Sequence, residues 1–164
     1  MILMHNEIEE FKSNNLTKSY ESDFGYDIKS PVDCILSPQT STVIATKLHI
    51  WFPPILGAVI QSRSGLAIKY SIEASNAGVI DSGYTGELNV KLYNHSNQYY
   101  KILKGDRIAQ ILFFIRPEQF FKILPNYLEN IKSFGNMNFT ISERDISEWK
   151  KSERKHLGIG SSGK

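Results

Sequence analysis

Between about residue 20 and residue 115 the sequence runs as short β-prone stretches separated by turn dipeptides, and this rhythm constrains the fold more than any other feature. Thr42 to Ile50 is rich in β-branched residues, while Leu88-Asn89-Val90-Lys91-Leu92 alternates apolar and polar with the period of a half-buried strand. Turn chemistry recurs at Ser37-Pro38, Pro53-Pro54, Asp81-Ser82-Gly83 and Lys104-Gly105-Asp106, at intervals that suit a sandwich or barrel of short strands. Ile108 to Ile115 is apolar apart from Gln110, which predicts a strand buried in the core or at a subunit interface. From about Pro117 to Lys155 the composition shifts to Asn, Lys, Glu, Ser and aromatics. There Ser142 and Asp145, ahead of Ile146 and Trp149, read as an N-cap with a carboxylate in the first turn and predict one short helix over 142–153.

A chain of 164 residues that is 41% hydrophobic can bury a single core. Its net charge of +2 gives no bulk attraction to nucleic acid or to a membrane surface, so neither is expected as a direct partner. Cys34 is the only cysteine, which excludes an internal disulfide and fits a reducing compartment: the cytoplasm, with the nucleus as the alternative. Met1 to Glu10 carries three glutamates and no apolar run, and no long apolar stretch follows, so neither a secretory leader nor a membrane span is expected. The sequons at Asn15 and Asn94 then read as chance matches.

Five segments carry residues able to do chemistry. Asp27, in Gly25-Tyr26-Asp27-Ile28, reads first as a turn aspartate that satisfies local backbone N–H groups. Ser62-Arg63-Ser64-Gly65-Leu66-Ala67 reads either as a small anion cradle or as a solvated loop. Asn76 to Glu87 suggests a β-hairpin with the Asp81 carboxylate at one lip and the Tyr84 ring at the other. In Lys104-Gly105-Asp106-Arg107-Ile108-Ala109-Gln110, Asp106 and Arg107 read as a structural ion pair. The last segment, Gly158-Ile159-Gly160-Ser161-Ser162-Gly163-Lys164, reads as a flexible arm that closes over an anion, or as a disordered terminus. It imitates a Walker A loop but lacks the strand, the hydroxyl residue and the helix that such a loop requires.

In this order the five segments resemble the motifs of the trimeric, all-β dUTP pyrophosphatase (dUTPase) family. Phe24 to Ile28 matches a first motif of the Ala-Gly-Tyr-Asp-Leu kind, and Arg63 to Ala67 matches Pro-Arg-Ser-Gly-Leu-Ala with Ser62 in place of the proline. Gly78 to Glu87 meets Gly-Val-Ile-Asp-x-x-Tyr-x-Gly-Glu at every named position, and Gly105 to Gln110 meets Gly-Asp-Arg-Ile-Ala-Gln in full. The fifth motif is only partly kept, from Arg154 to Gly163.

The resemblance implies a distorted jelly-roll-like β-barrel (β-clip) that assembles as a homotrimer with active sites shared between subunits. Its implied division is a core over 1–116, an insertion over 117–153 and an arm over 154–164, within one domain. The implied reaction is magnesium-assisted hydrolysis of dUTP to dUMP and pyrophosphate, with Asp81 as the general base for the attacking water. Tyr84 is expected against the deoxyribose, where it excludes a 2′-hydroxyl, and the backbone of Asn76, Gly78 and Val79 at the uracil edge. Arg63, Ser64, Gly65 and Gln110 are expected at the α and β phosphates, with Arg154, Gly160, Ser161 and Ser162 folding over the γ-phosphate. Mg2+ is expected on the triphosphate and its waters, with Asp27 an outer-sphere partner.

Two departures from the family pattern stand out. Ile159 replaces the aromatic ring that usually stacks on uracil, which keeps apolar cover and loses stacking. The passage from Gln110 to Arg154 is longer than usual, and reads as a trimer-wrapping elaboration or as a docking surface for another protein within 117–153, with Phe134, Phe139 and Trp149 as anchors. The alternative functions are a nucleotide-controlled regulatory binding protein on the same scaffold and, further off, a dCTP deaminase.

Overall fold

The computed structural model describes residues 2–6, 16–75, 78–118 and 141–143. Its elements in chain order are β1 (Ile2–Asn6), β2 (Leu16–Thr17), β3 (Tyr26–Lys29), β4 (Cys34–Leu36), β5 (Thr40–Ala45), β6 (Leu48–Trp51) and β7 (Leu56–Gln61). There follow α1 (Ser64–Tyr70), β8 (Ile72–Ser75), β9 (Val79–Ile80), β10 (Asn89–Asn94), β11 (Tyr100–Ile102), β12 (Arg107–Ile115) and β13 (Ile141–Glu143). The chain is all-β, as the turn spacing predicts.

Among the described residues the strands form four sheets, ordered β2-β3-β12-β7-β9, β5-β10-β8, β11-β4 and β13-β1-β6. Every pairing is antiparallel except β1 with β13. Phe52, Ile28, Leu48, Ile50, Leu92, Ile102, Ile108 and Ile111 are fully buried between these layers and contribute to the apolar burial that offsets chain entropy. Phe113 meets the Phe52 ring edge-on at 5.3 Å and that of Tyr26 at 6.0 Å, joining the central strand β12 to the core.

The structure refines several of these stretches and revises others. Thr42 to Ile50 is two strands, broken where Lys47 turns to φ 58 and donates its N–H to Glu87 Oε1 at 2.9 Å. In β12, Ile108, Ala109 and Ile111 are buried, whereas Phe114 and Ile115 reach the surface at 39% and 41% exposure. The stretch 76–87 is not a hairpin: β8 pairs with β10 and β9 with β7, so the chain changes sheets between Ser75 and Val79, with Gly78 at φ +107. The positive φ explains the glycine, since a side chain strains that backbone. Among the described residues the short helix is α1, inside the second motif. Ser142, read as a helix N-cap, instead pairs with Leu3 in the β13–β1 ladder, and the rest of 142–153 lies outside the described residues. The backbone hydrogen bonds that a cap would supply come there from a neighbouring strand.

Candidate active site

Motifs one, two and four meet because their strands are neighbours. Asp27 on β3 stands opposite Gln110 on β12, which stands opposite Gln61 on β7, so Asp27 and Gln110 leave the sheet on the same face. Arg107 lies three residues before Gln110 and in a regular strand would leave by the other face. A register shift between Arg107 and Ala109 inserts the extra residue that turns its guanidinium back towards Asp27.

Asp27 is a buried strand residue rather than a turn aspartate. Arg63 Nε donates to its Oδ1 at 2.8 Å, and Arg107 Nη1 donates to its Oδ2 at 3.2 Å. Ser19 Oγ accepts a hydrogen bond from Arg107 Nη1 and sits 3.4 Å from Asp27 Oδ2 as donor. Arg63 Nη1 reaches the Arg107 carbonyl at 3.2 Å. One carboxylate thus holds two guanidinium groups side by side, and the trio keeps a net positive charge with N–H donors left over for a ligand. Asp106, expected to pair with Arg107, instead accepts the Leu103 N–H at 2.8 Å and closes the turn at Gly105.

Arg63 is also the N-cap of α1, in extended conformation and with no side-chain hydrogen bond to the helix. The N–H groups of Leu66 and Ala67 bond to the Arg63 carbonyl, while those of Ser64 and Gly65, in the opening turn, have no partner within the helix. Gln110 Nε2 donates to the Ser62 carbonyl at 3.1 Å and braces this loop from β12. These groups line a cleft of about 510 Å³ to which Ser19, Asp23, Gly25, Asp27, Arg63, Ser64, Gly65, Arg107 and Gln110 contribute. Ser19, Asp23 and the cleft-facing role of Arg107 escape sequence reasoning. The first two belong to a turn without a motif, and the third depends on a bulge.

The third motif forms a separate constellation. Asp81 is exposed after β9, and its carbonyl accepts the Tyr84 N–H at 2.9 Å. The Tyr84 phenol donates to the Glu87 carbonyl at 2.8 Å. Burial, and then the Glu87 charge, push the Tyr84 pKa above its ordinary value, so the phenol stays neutral. Gly86 lies beneath this ring: a Cβ there would stand 2.6 Å from the phenol oxygen and 2.7 Å from Cζ. Val79 is 63% exposed and opposite Val59.

No residue of 78–87 lines the Asp27 cleft. Three strand spacings separate β3 from β9, roughly 14 Å. Continuing the β7–β9 register sets Asp81 near Gly57, four residues along β7 from Gln61 and roughly a further 13 Å. Within one chain Asp81 and the two arginines are therefore too far apart to act on one phosphate. Asn76, Arg154, Ile159, Gly160, Ser161 and Ser162 lie outside the described residues, as do Phe134, Phe139 and Trp149.

Among the described residues no group of three or more His, Cys, Asp or Glu converges to hold a metal ion. Both Asp27 oxygens already face guanidinium groups. This donor set does not fit a protein cage for magnesium, and suits an ion carried on phosphate oxygens and water. Among the described residues no helix is long and apolar enough to cross a membrane.

An all-β chain with an arginine-lined cleft and a separate Asp-Tyr-Gly-Glu turn has the features of a β-clip protein. The model of the dUTPase family matches residues 12–143, and the chain belongs to that family. The deoxyuridine 5′-triphosphate nucleotidohydrolase of Eremothecium gossypii is 38% identical over 96 residues, which are 58% of this chain and 62% of the relative. That of Candida albicans is 34% identical over 148 residues, covering 90% of this chain and 80% of the relative. A mutant dUTPase from phage phi11 of S. aureus shares the fold, with a TM-score of 0.64, 23% identity, and coverage of 71% of this chain and 91% of that one.

Proposed function

We propose that this chain hydrolyses dUTP to dUMP and pyrophosphate, which limits uracil in DNA and supplies dUMP. The observation that carries the proposal is the cleft in which Asp27 aligns Arg63 with Arg107 beside the opening turn of α1. Guanidinium forks and backbone N–H groups recognise phosphate oxygens, and they act most strongly on the charge that builds up in the transition state. Arg63, Ser64, Gly65 and Gln110 bind the α and β phosphates, and Arg154, Gly160, Ser161 and Ser162 cover the γ-phosphate.

The Asp81 carboxylate takes a proton from the water that attacks the α-phosphorus, while the electron pair of the breaking P–O bond leaves with pyrophosphate. Tyr84, seated on Gly86 and tied to Glu87, presents its ring to the sugar and leaves no room for a ribose 2′-hydroxyl. The backbone at Asn76, Gly78 and Val79 bonds the uracil edge, and Ile159 covers the base with aliphatic surface. When bound, magnesium supplies charge neutralisation on the triphosphate. The separation of Asp81 from the arginine cleft within one chain supports a homotrimer in which one subunit offers the base and sugar pocket and another the phosphate ligands.

The test is pyrophosphate release from dUTP beside dTTP, dCTP and UTP, in wild type and Asp81→Asn. Turnover is expected with dUTP alone, falling about 10³-fold in the variant. Comparable turnover of UTP or dTTP, an undiminished variant, or ammonia release from dCTP would overturn the proposal.

A further inference from the structure

Ser62 stands between β7 and α1, one residue before Arg63, and its hydroxyl does something that no motif explains. Ser62 Oγ accepts the Ala74 N–H at 2.9 Å and sits 3.4 Å from the Ala74 carbonyl as donor. Ala74 is on β8, in the sheet β5-β10-β8, whereas β7 belongs to β2-β3-β12-β7-β9. The hydroxyl therefore answers both backbone groups of one residue across two sheets, as a neighbouring strand would. The Ser62 carbonyl receives Gln110 Nε2 at 3.1 Å, so this one residue ties the loop to β12 as well.

The loop needs such a tie because nothing local supplies one. The helix it opens has arginine as its N-cap with no side-chain hydrogen bond, a weak start. In the family pattern proline occupies this position, and its ring fixes φ without any partner. Serine leaves φ free, so the geometry must be held from outside.

We propose that Ser62 is a positioning residue for dUTP binding: its hydroxyl clamp on Ala74 sets the Arg63–Gly65 loop against the cleft. This rests on the dUTP hydrolysis proposed above. Replacing Ser62 with alanine removes the clamp and keeps the chain's trace. KM for dUTP is expected to rise about five- to tenfold, the effect of one part-buried hydrogen bond, with kcat within about twofold. Ser62→Thr keeps the hydroxyl and is expected to hold KM within about twofold of wild type.

The measurement is steady-state kinetics of the three proteins on dUTP, alongside their affinity for inorganic tripolyphosphate, which needs no turnover. A wild-type KM in Ser62→Ala, or an equal loss in Ser62→Thr, would overturn the positioning role. If the wild type fails to hydrolyse dUTP, the proposed function fails, and the tripolyphosphate affinities still decide whether Ser62 sets the loop.

Discussion

Gly86 illustrates how a single atom can govern the proposed sugar pocket. A methyl group at this position overlaps the Tyr84 ring, and keeping the ring in place costs about 1–3 kcal/mol, as other overpacked sites do. The exposed side of the ring offers a cheaper escape, so Gly86→Ala is expected to swing Tyr84 out and lower kcat/KM for dUTP about tenfold while the melting temperature changes little. Equal kcat/KM in the two proteins would detach Tyr84 from sugar recognition. Tyrosine protonation makes a second claim at this scale. Burial raises the pKa of Tyr26, Tyr84 and Tyr100 above the ordinary value, so the folded state holds these protons more tightly than the unfolded chain. Their contribution to stability is present below about pH 10 and lost as pH climbs through the raised values. Urea midpoints are expected to fall as the pH climbs above about 10, and a midpoint that holds there would contradict the burial of these phenols.

Among the elements, β13 bears on what the long passage after Gln110 does. Its parallel pairing with β1, which in turn pairs with β6, ties one stretch of that passage to the barrel and favours a structural role for it. Deleting residues 125–145 removes β13 and is expected to lower the melting temperature by several degrees, consistent with about 1 kcal/mol for a short edge ladder. An unchanged melting temperature would return the passage to the docking reading. How far the elements were legible depends on what signals them. Turns at Pro53-Pro54 and Lys104-Gly105 announce themselves through residue chemistry, and the alternation of Leu88 to Leu92 matches its burial. Lys47 breaks its strand through a tertiary bond to Glu87, which no local pattern reveals. α1 spans only seven residues around a single buried side chain, Leu66, too short for helical periodicity to register. The change of sheet after β8 depends on pairing partners far along the chain. The site was legible as a set of motifs, whereas the Asp27 clamp on two arginines needed the β12 bulge to be seen. The sequon at Asn94 is also resolved by structure: the residue is fully buried, with its amide bonded to Leu36 and Gln98 carbonyls and its oxygen to Ser96, which leaves no room for a glycan.

At the scale of the molecule, one chain holds the two halves of the proposed site apart. The anion cleft is on the β3–β12 side of the five-stranded sheet, and Asp81 follows the strand at its opposite edge. Phe24, Val79, Phe114 and Ile115 are exposed in the single chain, an apolar surface that association can bury. The most direct measurement of this account is subunit complementation. Asp81→Asn and Arg63→Ala are each expected to be inactive alone. Co-refolded in equal amounts as mixed trimers, they should recover about a quarter of wild-type turnover, because half of the base pockets and half of the phosphate clefts are intact and they meet at random across subunits. No recovery in a mixture shown to have exchanged subunits would contradict the account, and would require Asp81 and Arg63 to serve the same substrate from a single chain.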